Sequence, residues 1–156
     1  MGERRLPTIR VSAFIAQAGR VLLVQQHRAA ELSTPAYWLL PGGGVEFGEP
    51  LADALVRELR EELGLTVIVD RPIALVESLS PDPAYQKHVL HVVCAAALPA
   101  DADLRTVRPT DSAVRAARFF AADELHGLAL RPPIAAQLAS FLEELPSGLA
   151  YLGRLW

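Results

Sequence analysis

The stretch from Gly43 to Leu65, GGVEFGEPLADALVRELREELGL, constrains this chain more than any other. Its second part reads as a helix. Pro50 suits the first helical position, where a missing N–H costs nothing, and Gly64 suits the position just past the end. Between them Leu51, Leu55, Leu59 and Leu63 recur every four residues, with Ala52 and Val56 alongside, which gives one apolar stripe to bury. Glu58, Glu61 and Glu62 stand at i, i+3 and i+4. At about 100° per residue they span an arc of roughly 100° beside that stripe, so the spacing predicts that they converge at the rim of the core.

That placement is locally unfavourable. Glu61 and Glu62 fall in the last helical turn, where the macrodipole disfavours an anion by about 0.3–1 kcal/mol. Glu58 and Glu62, at i, i+4, repel each other by a few tenths of a kcal/mol. A bound divalent cation would reverse both penalties, because magnesium and manganese take hard oxygen ligands. The bland alternative is a solvated helix face with Arg57 paired to Glu61. The glycines upstream and Gly64 downstream weigh against it.

Gly42-Gly43-Gly44 admits two compatible readings. One is a tight turn or close backbone packing between a strand and the helix. The other is a backbone carbonyl free to reach a metal, with amides free to approach phosphate.

The whole stretch resembles the Nudix box, the 23-residue signature of the Nudix hydrolases, with every defining position filled. The preceding Tyr37-Trp38-Leu39-Leu40-Pro41-Gly42-Gly43-Gly44-Val45-Glu46 also resembles that family's approach to the box. The resemblance implies an α/β fold, an α/β/α sandwich with a mixed central sheet between helices. It implies metal-dependent hydrolysis of the diphosphate linkage in a nucleoside diphosphate joined to another group. It further implies magnesium or manganese held by Glu58, Glu61 and Glu62, with a backbone carbonyl at Gly42 or Gly43. Glu49 and Arg57 would support this catalytic set by an ion pair that orients loop and helix. In the implied mechanism water attacks phosphorus in line, a bound cation lowers the pKa of that water, and Glu58 or a loop carboxylate takes the proton.

Composition sets outer bounds. At 156 residues one domain, 1–156, is expected, large enough for a real core. A net charge of −3 offers no global attraction for nucleic acid or an anionic membrane. Cys94 is alone and sits in a strand-like run, so it reads as a small buried hydrophobe. The polar start Met1-Gly2-Glu3-Arg4-Arg5 does not resemble a signal peptide, and no apolar run reaches the ~18 residues of a membrane span. A cytoplasmic enzyme acting on a small nucleotide is the expectation.

In chain order, Thr8 to Gln17 and Arg20 to His27 read as a hairpin whose second strand is buried, and Tyr37-Trp38 as a short strand. Thr66 to Leu79 reads as a strand broken at Asp70-Arg71-Pro72. Gln86 to Leu98 follows, with Lys87, Val89, His91 and Val93 on one face and His88, Leu90, Val92 and Cys94 on the other. Ala113 to Phe120 is a further strand, Ala121 to Leu125 a helical turn, and Pro132 to Leu145 the closing helix. The apolar tail, 146–156, is expected to pack, with a second subunit as one candidate surface. A homodimer is otherwise a family-level expectation.

For the substrate, Arg28, His27, Tyr85, Lys87 and His88 could line a cleft opposite the metal, offering cations to phosphate and a ring to a base. Asp111 stands where the family brings in a further carboxylate from a later loop. Ser78-Leu79-Ser80-Pro81-Asp82-Pro83 is not the run that marks the family's ADP-ribose subgroup, which argues against ADP-ribose. Two other classes stay open. A nucleotide-binding regulatory module would keep the fold and lose a box glutamate. An RNA-end pyrophosphohydrolase would need a basic face, for which Arg4, Arg5, Arg10 and Arg28 are the candidates.

Overall fold

A computed structural model describes residues 6–26, 36–81, 87–102 and 107–156. Its strands are β1 (Thr8–Gln17), β2 (Arg20–Gln26), β3 (Tyr37–Leu39), β4 (Gly42–Gly44), β5 (Ile68–Leu79), β6 (His88–Ala97), β7 (Val114–Ala121) and β8 (Ala150–Arg154). Its helices are α1 (Leu51–Leu63), α2 (Ala122–Leu125) and α3 (Ala135–Glu143). The architecture is the expected α/β sandwich. A mixed sheet runs in the order β3-β2-β1-β6-β5-β8, with β1/β6 and β5/β8 parallel.

Alternation along the central strands sends side chains to two cores. Val11, Ala13, Ile15, Val92 and Cys94 pack with Leu55, Leu59 and Leu63 of α1. Phe14, Val93, Ala95 and Val76 pack with Leu138 and Phe141 of α3. Leu55, Leu59 and Leu63 are buried, so the leucine stripe read from the sequence does face the sheet, at about 1.5–3 kcal/mol per buried leucine, whereas Ala52 is exposed and Ala54 is buried in its stead. Pro50 caps α1 from one position earlier than expected, and at the other end the Gly64 N–H returns to the Arg60 carbonyl. Cys94 is buried, as its apolar setting suggested.

The sheet splits at one place, and that place positions the site. β2 pairs with β1 only at the hairpin end, Ala16 with Val21 and Gln17 with Arg20; β3 pairs with Val24 to Gln26, and β7 pairs along the other edge from Arg20 to Gln26. The edge of β1 that β2 leaves uncovered is taken by β4, Arg10 to Ser12 pairing with Gly44 to Gly42. The three glycines are therefore a strand wedged between β1 and α1.

Two expectations need correction, and a third is met in part. Asp70-Arg71-Pro72 does not break β5. The strand continues through register shifts on either side, which accommodate a proline that has no N–H for the ladder. The closing helix runs only from Ala135 to Glu143: Pro133 disfavours the helical region for Pro132, and Ile134 rather than a proline is the N-cap. The tail packs within the chain in part: β8 adds to the edge of β5 and Leu152 and Leu155 pack on the α3-side core, while Leu149, Tyr151 and Trp156 stay exposed. No described helix is long and apolar enough to cross a membrane.

Candidate active site

The carboxylates meet the backbone at β4. Gly42 has φ +143°, and a Cβ there would run into the backbone of Val11 and Ser12. A side chain fits neither the dihedral nor the space. At Gly43 a Cβ would fall on the Glu58 carboxyl group itself. Backbone approach at the first glycine and carboxylate approach at the second are thus adjacent parts of one arrangement.

Arg57 is the hub on the outer side. Its Nε donates to Glu49 Oε1 at 2.8 Å and its Nη2 to Glu49 Oε2 at 3.0 Å, a two-point fork. Nη1 donates to Glu58 Oε1 at 2.9 Å and reaches Glu61 at 3.4 Å, and Nη2 also holds the Gly44 carbonyl at 3.0 Å. The Glu49–Arg57 pair therefore forms, and the bland Arg57–Glu61 contact coexists with it. Arg57's hydrogen bond, with a second from the Glu46 N–H, pulls the Glu49 carboxyl down to about 2, while Glu49 and Glu58 push the guanidinium further up.

Glu62 turns the other way. It is only 5% exposed and accepts hydrogen bonds from Gln26 Nε2 at 3.1 Å and from the Gly42 N–H at 3.0 Å. Burial raises its carboxyl to about 7; the charge of Arg10 and the Gly42 hydrogen bond lower it, while Glu58 and Asp111 raise it further. Arg10, on β1, donates to the Gly42 carbonyl, so one glycine links the guanidinium to the buried carboxylate through its two backbone groups.

The loop before β7 closes the far end of α1. The Thr110 N–H donates to the Glu62 carbonyl at 2.8 Å and its hydroxyl to the Glu61 carbonyl at 2.5 Å, satisfying two acceptors of the last helical turn. Asp111 is brought near Glu62 by this loop, with its Oδ1 accepting from the Ala113 N–H at 2.8 Å.

The convergence expected of Glu58, Glu61 and Glu62 is graded. Glu58 and Glu61 turn to Arg57 and Glu62 turns inward, and among the described residues no three His, Cys, Asp or Glu side chains already form a metal-sized cluster. Opposed orientation follows from like charges each finding its own donor. As a donor set the residues suit a hard divalent cation. Glu62 is buried against neutral donors at a cost that shows in its raised pKa, and Glu58 lies against the Gly43 backbone.

The expected substrate residues scatter. Arg28, His27 and Tyr85 lie outside the described residues. Lys87 stands just before β6, near enough to His91 for its charge to be felt there. His88 does not face a cleft: its Nε2 is 2.8 Å from Glu77, which also accepts from the Tyr151 hydroxyl at 3.1 Å, so it fastens β8 to the sheet.

What sequence reading missed lies on the opposite face. A cavity there is floored by Arg10, Ser12 and His91 and roofed by Leu130, Arg131 and Leu138. Its roof is fixed by the Trp38 N–H on the Ala129 carbonyl and the Arg131 N–H on the Trp38 carbonyl, with Arg131 stacked 4.5 Å over Tyr37. Burial, then the charges of Arg10 and Lys87, push the His91 imidazole down to about 4, so it is neutral. One signal was readable: a histidine on a strand face otherwise apolar at Val89 and Val93.

Comparison with known proteins bears on the family and the fold. The NUDIX domain model matches residues 6–145. The CTP pyrophosphohydrolase of Escherichia coli K12 is 38% identical over 53% of this chain and 59% of its own length. The ADP-ribose pyrophosphatase of Methanocaldococcus jannaschii is 32% identical over 56% of this chain and 48% of its own. The alignments thus span less than two thirds of these curated relatives. The crystal structure of an ADP-ribose pyrophosphatase from Streptococcus suis matches with a TM-score of 0.67 at 26% identity, covering 94% of this chain and 99% of that one.

Proposed function

Since the chain belongs to the NUDIX family, we propose that it is a metal-dependent pyrophosphohydrolase cleaving the diphosphate linkage of a nucleoside diphosphate joined to another group. The observation that carries this reading is the contact of the Glu58 carboxyl with the Gly43 backbone, beside Glu61 and Glu62 on one helix. Relatives named for the hydrolysis of CTP and of ADP-ribose support it.

Glu58, Glu61 and Glu62, with the Gly43 carbonyl, would hold the divalent cation, magnesium or manganese. When bound, such an ion withdraws charge from phosphate oxygens and acidifies water. The remaining work belongs to the protein. Arg57 and Glu49 lock the loop to the helix and hold Glu58 in place, a positioning role. Glu58, or Asp111 from the loop before β7, accepts the proton of the water that attacks phosphorus. The same reading treats the chain as one domain acting in the cytoplasm. A homodimer remains its oligomeric proposal, to be tested by sedimentation.

The test is phosphate release, coupled to a phosphatase, over nucleoside triphosphates, ADP-ribose, nucleotide sugars, dinucleoside polyphosphates and coenzyme A, with and without magnesium. Cation-dependent turnover of at least one class is expected. Silence across the panel with nucleotide still bound would replace the hydrolase with a binding module.

A further inference from the structure

Glu62 is held differently from the two carboxylates beside it. Glu58 and Glu61 both accept from the Arg57 guanidinium, so each has a cation of the protein against it. The Glu62 oxygens take neutral donors instead: Gln26 Nε2 on Oε1 at 3.1 Å and the Gly42 N–H on Oε2 at 3.0 Å. Arg10, whose charge Glu62 feels, gives its hydrogen bond to the Gly42 carbonyl rather than to the carboxylate.

Of the two donors, Gly42 offers a backbone group and only Gln26 a side chain. Gln26 ends β2, on the face that sends Leu22 and Val24 into the α1-side core. An amide therefore stands where the alternation of the strand calls for an apolar residue. Its rung is pinned on both sides, by Tyr37 of β3 and by Val114 of β7 past a register shift, so the amide starts from a fixed place.

We propose that Gln26 is a positioning residue for Glu62, fixing the rotation of the carboxylate while leaving its negative charge for the divalent cation. The proposal rests on the metal-dependent reading above and assigns that reading a residue outside the helix. Each carboxylate oxygen has two lone pairs, and each gives one to a donor of the protein. One on each oxygen stays open, in a direction set by Gln26 and Gly42. A neutral donor orients such a ligand without satisfying its charge, and a hard cation binds to that charge. An apolar side chain at position 26 would leave Oε1 buried without its donor and the carboxyl free to turn about its last bond.

The experiment compares wild type, Gln26→Met and Gln26→Asn. Gln26→Met keeps the length and loses the donor; Gln26→Asn keeps the amide and falls one carbon short. Manganese affinity is read by electron paramagnetic resonance, as loss of the free-ion signal, and hydrolysis is followed on the best nucleotide of the phosphate-release panel. Both variants should bind manganese about tenfold more weakly, the scale of losing a partner that orients a metal ligand. The turnover they lose at fixed metal should return when manganese is raised by the same factor, with KM for the nucleotide unmoved. A lower melting temperature with wild-type manganese affinity would give Gln26 a part in folding alone and overturn the proposal. So would a raised KM at saturating manganese, which would make Gln26 a substrate contact, or an Asn variant that binds manganese as wild type does. Manganese binding without hydrolysis in the wild type would remove the hydrolase and leave this assignment testable by the titration. A wild type that binds no manganese would overturn both.

Discussion

The two faces of the sheet solve opposite problems. On the α1 face, charge is dense and paired: Arg57 alone engages Glu49, Glu58, Glu61 and the Gly44 carbonyl. On the α3 face charge is sparse, and Ser12 and His91 are left with hydrogen-bonding capacity to spare. Groups that must keep one geometry through a reaction are fastened by other groups of the protein. The two faces meet at Gly42, where Arg10 holds the carbonyl and Glu62 takes the N–H.

The largest effect is expected at Glu62. Glu62→Gln should lower turnover by about two or more orders of magnitude, the scale of losing one electrostatic group at a reacting centre, with an unchanged circular dichroism spectrum. Wild-type turnover in that variant would remove Glu62 from the machinery. Gly43→Ala comes next. Its methyl group displaces the Glu58 carboxyl, so turnover should fall by about one to two orders of magnitude, and a normal rate would mean that Glu58 can work from elsewhere. Arg57→Lys keeps the charge but loses the fork on Glu49, and should cost about tenfold in kcat with little change in KM. A loss carried by KM instead would give the fork a part in binding.

The smallest effect is on stability, and it belongs to the other face. The His91 imidazole sits at about 4 in the folded protein against 6.5 ordinarily, with Arg10 and Lys87 as the charges facing it. A depressed base binds fewer protons folded than unfolded, so its contribution is full above about 6.5 and is lost as pH falls toward 4. The loss is at most on the order of 3 kcal/mol. Glu62, raised to about 7, slopes the opposite way over much of that range, so the measurement is the difference between wild type and His91→Leu in urea unfolding at pH 7 and pH 5. A stability difference independent of pH would show that the imidazole is better solvated than its place in the fold implies.

The sequence disclosed the α1 face because almost everything there is local. Three carboxylates, their stripe of leucines and the terminating Gly64 lie within one helix and its cap. The partners that complete the face come from far along the chain. Arg10 reaches Gly42, Gln26 reaches Glu62, and Thr110 reaches the end of α1, each through strand register or loop closure that no local pattern encodes. Pro72 shows the same limit from the other side: a sound local rule predicted a break, and two bulges against β6 absorbed it. The tail was legible as apolar but not as a strand, because β8 exists only where the edge of β5 is there to receive it. His91 was visible as an exception on an apolar face, yet its significance depends on a roof supplied by residues some forty positions later.

The most direct test of the central claim is a manganese titration followed by electron paramagnetic resonance, run on wild type and on the variant with Glu58, Glu61 and Glu62 all changed to Gln. Saturable binding is predicted for wild type, with hydrolysis rising along the same curve, and both should be lost in the triple variant. Undiminished binding there, or hydrolysis that ignores the metal, would contradict the assignment of these three carboxylates as the site.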